Sequence, residues 1–249
     1  MQTSTMKQRK STTLSHKIGK ICNKQKLRVR LATEYLAGNY TTRTIDMDWR
    51  EKPLRMELIN RIIALNGYTR YLEIGCHNDV CFNLIQVAHK VGVDPASGGT
   101  LRMTSDDFFA QNKESFDIIF IDGLHVYEQV RKDILNAVGV LNDNGTIVVH
   151  DCLPTSCLAQ YTFPVIDAWN GDVWKALVEA RTLPNIDSAT CLIDHGVGVI
   201  KKRKNAKPLQ LSVSNFKQLK YADLVNNYTQ MLNALSFDEA VAFAAEKKA

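Results

Sequence analysis

YLEIGCHNDVCFNLIQVAHKVGVDP, residues Tyr71–Pro95, is the stretch on which the fold turns. Tyr71–Ile74 reads as a strand that runs into a tight turn at Gly75. Cys81–His89 reads as a helix, and Val91–Val93 as a second strand ending in the acidic Asp94. A carboxylate there can accept hydrogen bonds from a ribose diol, beside a turn where the backbone comes close. The segment therefore predicts a parallel sheet with a nucleoside site at its carboxyl edge.

The alternation continues on both sides. Upstream, Pro53 marks a helix start and Asn66-Gly67 a stop, with Leu58, Ile62 and Leu65 on the buried face. Downstream, Leu101–Met103 is a short strand and Asp106–Ala110 a helical turn. Asp117–Ile121 is a buried strand, Tyr127–Leu141 a helix stopped by Asn144-Gly145, and Thr146–Val149 another buried strand. Near-continuous apolar strands between helices mean a parallel sheet covered on both faces. Asp167–Arg181 is expected to be helical. Thr190–Ile193 and Val197–Lys202 form a hairpin around Asp194-His195-Gly196. The expected fold is α/β: doubly wound, with a mostly parallel seven-stranded sheet closed by an antiparallel hairpin. The tail from Asn215 is helical, with Ser236–Glu239 as a capping box. Lys201–Lys204 reads as a solvated charge run at a strand end.

Composition bounds the class. A chain of 249 residues, 45% hydrophobic and 23% charged, can bury one sizeable core. No apolar run approaches the ~20 residues needed to span a bilayer, and no signal-peptide core is present, so a cytoplasmic location is expected. Six cysteines without a CxxC pair argue against a disulfide framework or structural zinc. The net charge of +5 is unevenly placed. Residues 1–30 hold nine Lys/Arg and no Asp or Glu, leaving 22 basic against 26 acidic residues in the rest. The chain divides into a basic arm (1–36), an α/β domain (37–204) and a helical tail (205–249). In the arm, Leu14, Ile18 and Ile21 fall at helical spacing among lysines. That pattern suits a solvated helix first, and an anionic membrane or nucleic acid second. A homo-oligomer is compatible with this composition.

Ligands of open parallel sheets bind beyond the carboxyl ends of the strands. Two buried strands there end in Ile121-Asp122-Gly123-Leu124-His125 and Val149-His150-Asp151-Cys152. If these strands are neighbours, ~4.8 Å apart, the carboxylates of Asp122 and Asp151 converge beside His125 and His150. Such a group either holds a divalent cation such as Mg²⁺ or presents a general base with an orienting carboxylate. The plainer readings are that Asp122 caps the helix at Tyr127, that His150 is a satisfied core histidine and that Asp151 is a turn residue. His195 reads as a structural turn residue. His77 reads as a cofactor-lining residue. A dinucleotide fingerprint would need glycines at 77 and 80, where His77 and Val80 stand, with Asn78 and Asp79 where a pyrophosphate would lie. A phosphate-free cofactor, S-adenosylmethionine, fits that loop better.

Segments 71–76, 90–109, 116–134 and 145–154 together resemble the class I S-adenosylmethionine-dependent methyltransferases. The closest likeness is to the small-molecule O-methyltransferase and cephalosporin-hydroxylase-like group. FIDGLH followed by HDC two elements later carries most of it, and 169–176 and 193–200 extend it. The resemblance implies that Glu73 and Gly75 shape the cofactor pocket, that Asp94 binds the ribose, and that Ser105 and Asp106 lie near the adenine. Asp122 would border the cofactor as well. Asp122 and Asp151 match positions that hold Mg²⁺ in the metal-dependent relatives, and His150 joins them as a metal candidate; the residues' own chemistry makes Asp122, His125 and His150 the catalytic candidates. The metal-dependent relatives often carry two adjacent carboxylates where this chain has His150-Asp151. The implied reaction is methyl transfer to a hydroxyl of a small molecule, a sugar or glycoside. Two alternatives stay open: an inactive or hydroxylase-like scaffold, and a nucleic-acid methyltransferase recruited by the basic arm.

Overall fold

The computed structural model describes residues 24–245. Two compact units emerge, 1–41 and 42–249. Within the first, residues 24–36 form helix α1. Leu14, Ile18 and Ile21 lie outside the described residues.

The second unit opens with α2 (Arg55–Asn66), capped by Gly67 in the left-handed conformation as the Asn-Gly signal predicts. There follow β1 (Arg70–Ile74), α3 (Val80–Leu84), β2 (His89–Val93), α4 (Ser105–Gln111) and β3 (Phe116–Ile121). Next come α5 (Tyr127–Val140), β4 (Leu141–Val149), α6 (Trp174–Ala180), β5 (Asp187–Cys191) and β6 (Val197–Lys201). The tail adds α7 (Tyr221–Met231), β7 (Ala234–Leu235) and α8 (Phe237–Ala245). The sheet order is β2-β1-β3-β4-β6-β5-β7. β2, β1, β3 and β4 are parallel, β6 runs antiparallel to β4 and β5, and β7 is parallel to β5.

Side chains alternate across this sheet with period two, so each strand feeds two cores. Leu72, Ile74, Ile119, Ile121, Ile147 and Val149 face α5 and α6. Tyr71, Ile118, Phe120, Val148, Val197 and Val199 face α2 and α8. Both faces are covered, which is why Ile118–Ile121 of β3 and Ile147–Val149 of β4 read as unbroken apolar runs.

Several local expectations are corrected. α3 is one short turn, and His89 belongs to β2, where it pairs with Arg70. Residues 101–103 make a single bridge, Val93 to Leu101, and the seventh strand is β7 from the tail. The 167–181 helix is confined to α6, because the amides of Asn170 and Gly171 are both tied to the Ala159 carbonyl. Lys201 is not solvated. Its ammonium is buried against the Asn144 and Ala244 carbonyls, at 2.6 and 2.9 Å, and pins the last turn of α8. Arg203 pairs with Asp187 at 2.9 Å. The Ser236–Glu239 capping box forms as expected.

The constraint that positions the site is the approach of β1 to β3. Gly75 has φ +91, and a Cβ there would lie 2.2 Å from the Asp122 carbonyl oxygen. Gly75→Ala should therefore lower unfolding stability by about 2–4 kcal/mol, combining overpacking with a left-handed backbone. The urea midpoint measures it.

Candidate active site

A cavity of about 780 Å³ opens at the carboxyl edge of the parallel strands. Its wall includes every residue singled out from sequence: Glu73, Gly75, His77, Asp94, Ser105, Asp106, Asp122, His125, His150 and Asp151. They come from the ends of β1, β2, β3 and β4 and the start of α4, and fold topology alone unites them.

On the β1–β2 side, Asp94 accepts three backbone N–H groups. Ala96 and Ser97 donate to Oδ1 at 2.7 and 2.8 Å, and His77 donates to Oδ2 at 2.9 Å. Burial pushes against ionisation here, but these amides outweigh it and hold the carboxyl below its ordinary value. A carboxylate offers about four lone-pair positions. One remains, on Oδ2, and it suits a single ribose hydroxyl.

The glycine-poor loop after Gly75 still turns left-handed, with φ +48 at His77 and +62 at Asp79. Each such non-glycine residue costs about 1–2 kcal/mol. Contacts from the loop after β2 offset that cost: Gly99 N–H donates to Asp79 Oδ1 at 2.7 Å. Gly98 (φ +63) leaves room for Asp79, since a Cβ there would lie 2.6 Å from Asp79 Oδ1. The close-approach glycine has moved from the first loop to the second.

Glu73 is 1% exposed and takes a hydrogen bond from the Tyr71 hydroxyl. Burial pushes its carboxyl up to about 8. Cys76 and Cys81 share this wall, and burial raises both thiols, Cys81 to about 12.

On the β3–β4 side, Ile121 and Val149 are register partners, so Asp122 and His150 leave neighbouring strands at the same level, with Asp151 one residue further on. His150 N–H donates to the Ile121 carbonyl at 3.0 Å. His150 Nδ1 lies 3.3 Å from Asp122 Oδ1 and 3.2 Å from Asp151 Oδ2, and its Nε2 lies 3.5 Å from Asp194 Oδ2. His125 lies 3.5 Å from Asp122 and 3.4 Å from Asp151. Burial alone would lower both imidazoles, but the carboxylates outweigh it and raise them. Asp122 is held well below the usual range despite burial, by His150, His125 and Arg55.

Asp122 does not cap α5. Asp172 Oδ1 does so, accepting the Tyr127 N–H at 2.7 Å. Trp174 is fully buried core. Asn170 donates to Asp151 Oδ1 at 2.8 Å, and the Trp169 ring lies 4.9 Å from that of His125.

Four residues here escaped sequence reasoning. Arg55 stands 3.6 Å from Asp122 and 2.9 Å from Asp194, a cation that is distant in sequence and near in space. Asp194 was read only as part of a hairpin turn. Gln129 and Asp133 line the far wall from α5. Their i, i+4 spacing was visible, but it is shared by any helix face.

The group with metal-ligand geometry among the described residues is Asp122, His125 and Asp151, whose ligand atoms all lie within 4.8 Å of one another. His150, expected in that set, is instead wedged among three carboxylates. The buried Nδ1 of His125, both ring nitrogens of His150 and Arg55 Nε lack a hydrogen-bond partner. Two carboxylates and an imidazole, with unsatisfied nitrogens beside them, fit a divalent cation of the oxygen-and-nitrogen-binding kind.

Residues 38–152 match the family model described as a methyltransferase domain. A sequence comparison with curated proteins gave no match. The chain is similar to a putative caffeoyl-CoA O-methyltransferase from Staphylococcus aureus, at 14% identity over 76% of this chain and 99% of that one, TM-score 0.47. It is also similar to an O-methyltransferase from Bacillus cereus solved with SAH, at 12% identity over 69% and 88%, TM-score 0.45. A third is the MycE methyltransferase in complex with Mg, SAH and mycinamycin VI, at 17% identity over 66% and 58%, TM-score 0.40. Among the described residues no helix is long and apolar enough to cross a membrane.

Because Glu73 is protonated in the fold up to about pH 8 and ionised in the unfolded chain above about 4.3, the unfolded state binds fewer protons in that window. Stability from this residue is therefore present at low pH and lost as pH rises toward 8. Glu73→Gln should match the wild type below about pH 4 and exceed it by on the order of 2–4 kcal/mol above pH 8. Urea denaturation across pH reads the difference.

Proposed function

We propose that this protein is a methyltransferase that transfers a methyl group from S-adenosylmethionine to a hydroxyl oxygen of a small molecule, a sugar or glycoside. The observation that carries the reading is that Asp122, His125, His150 and Asp151 share one cavity with the Asp94 carboxylate and the Gly75 turn. Asp94 Oδ2 takes one ribose hydroxyl, and Gly75 allows the cofactor to lie against the strand ends. Ser105 and Asp106 border the adenine, and Glu73 and His77 close the remaining wall. The cofactor supplies an electrophilic methyl on a sulfonium.

The acceptor hydroxyl approaches in line with the methyl carbon and sulfur, which is chiefly a positioning task. As the carbon–oxygen bond forms, the carbon–sulfur bond breaks and its electron pair stays on sulfur. The hydroxyl proton passes to His125. This imidazole is the more open of the two: its side chain is 18% exposed against 7% for His150. Asp122 and Asp151 orient it and stabilise the imidazolium it becomes. His150 and Arg55 keep the three surrounding carboxylates neutralised while this happens. Alternatively, Asp122, His125 and Asp151 would hold a divalent cation, which would lower the pKa of a bound hydroxyl in place of His125 acting as the base. A polyhydroxylated ring suits this end of the cavity, because the carboxylates accept its hydroxyls while exposed Leu124 meets its C–H face.

Calorimetric titration with S-adenosylmethionine and with NADH, each with Mg²⁺ and with EDTA, tests the cofactor. Micromolar binding of the first alone is expected, and absence of that binding in every condition refutes the reading. Asp122→Ala should abolish turnover with the fold intact, and His125→Ala should lower kcat about 10²–10⁴-fold. Normal activity in either variant removes that residue from the mechanism.

A further inference from the structure

Three consecutive residues between β4 and α6 touch the Asp122–His125–Asp151 group from behind. The Trp169 ring lies 4.9 Å from that of His125, with its indole N–H donated to the Tyr161 carbonyl at 2.7 Å. Asn170 donates its side-chain amide to Asp151 Oδ1 at 2.8 Å. Gly171, at φ +64, lets the backbone run against the His125 carbonyl, since a Cβ there would lie 1.9 Å from that oxygen. The segment is itself fixed. The Ala159 carbonyl accepts the N–H groups of both Asn170 and Gly171, at 2.9 and 3.0 Å. Asn170 is 1% exposed, and its side-chain nitrogen also lies 3.4 Å from the His195 carbonyl. Asp151 needs such a partner. Its φ of +59 is a left-handed backbone that costs a non-glycine residue about 1–2 kcal/mol, and the residue is buried. Its two oxygens are divided: Oδ1 goes to Asn170, while Oδ2 lies 3.4 Å from His125 Nδ1 and 3.2 Å from His150 Nδ1.

We propose that Asn170 is a positioning residue for a divalent-cation site: by occupying Asp151 Oδ1 it keeps Oδ2 turned toward His125 as the oxygen that meets the ion. The inference rests on the cation reading of Asp122, His125 and Asp151 given above. A carboxylate is a good ligand only when its orientation is set, and partners behind the ligands typically carry about 10–100-fold in metal affinity. Asn170 can set it because its own place is determined before any ion arrives, by the Ala159 and His195 carbonyls. Its amide is neutral, so it orients the carboxylate without bringing a positive charge against the ion. Removing that amide leaves Oδ1 a buried acceptor without its donor, and frees the carboxylate to turn away from the geometry it holds with His125.

The test is calorimetric titration of the full chain with Mn²⁺, and separately with S-adenosylhomocysteine, for the wild type and Asn170→Ala. The wild type should bind Mn²⁺, and the variant should bind it about 10–100-fold more weakly. The variant's affinity for S-adenosylhomocysteine should be unchanged, because Asn170 stands behind Asp151 and off the cavity wall. Where Asn170→Ala does not fold, Asn170→Ser decides in its place. Its hydroxyl is too short to reach Oδ1 from the same backbone, so a loss of Mn²⁺ affinity of the same order is expected. Unchanged Mn²⁺ affinity in a folded variant overturns the role of Asn170 and leaves the cation reading intact. A comparable loss of both ligands also overturns it, since that is the mark of a purely structural residue. Absence of Mn²⁺ binding by the wild type overturns the cation reading and this inference with it.

Discussion

Three buried carboxylates at one edge of the sheet have to be neutralised from within, and much of the site follows from that requirement. Asp122, Asp151 and Asp194 come from the ends of β3 and β4 and from the turn between β5 and β6. Unpaired, each would cost several kcal/mol to bury. Their partners are His125 and His150 on the same loops and Arg55 at the start of α2. Arg55 also donates its backbone N–H to Asp194 at 3.0 Å, so the charge cluster fixes where α2 begins. Substrate chemistry and helix placement thus share one set of contacts.

The pleat decides which side of the sheet that cluster serves. Phe120 and Val148 point toward α2 and α8, while Ile121 and Val149 point toward α5 and α6. Carrying the same period past the strand ends sends Asp122 and His150 toward the α2 side, where Arg55 waits. Glu73 on β1 has the parity of Tyr71 and lies on that side too. Burying Glu73 without a cation costs stability at neutral pH, and its elevated carboxyl is the thermodynamic record of that cost.

The loops between β1 and α3 and after β2 show how a sequence can depart from a familiar pattern without losing its geometry. A glycine-rich first turn is replaced by His77 and Asp79 at positive φ, held by Asp94 and Gly99 across the gap. Packing against a glycine pair in the second loop restores the close approach.

The chain's own pattern determined the architecture. Apolar runs at Tyr71–Ile74 and Asp117–Ile121, the Asn-Gly stops and the acidic strand ends are local signals, and local signals obey fixed periods. They sufficed to name a doubly wound sheet and to put Asp94, Asp122, His125, His150 and Asp151 at its carboxyl edge, while Ser105 and Asp106 came only from the family resemblance. Tertiary structure alone decided the partners. Arg55 lies 67 positions from Asp122 and Asp194 lies 72 beyond it, so no spacing rule connects them. The supply of the seventh strand by a two-residue segment near the C-terminus, the burial of Lys201 inside a charge run, and the choice of His125 over His150 for the metal-like triad were equally hidden. Each depends on which surfaces meet after the chain has packed, and a hydrophobic or charged letter does not encode its distant neighbour.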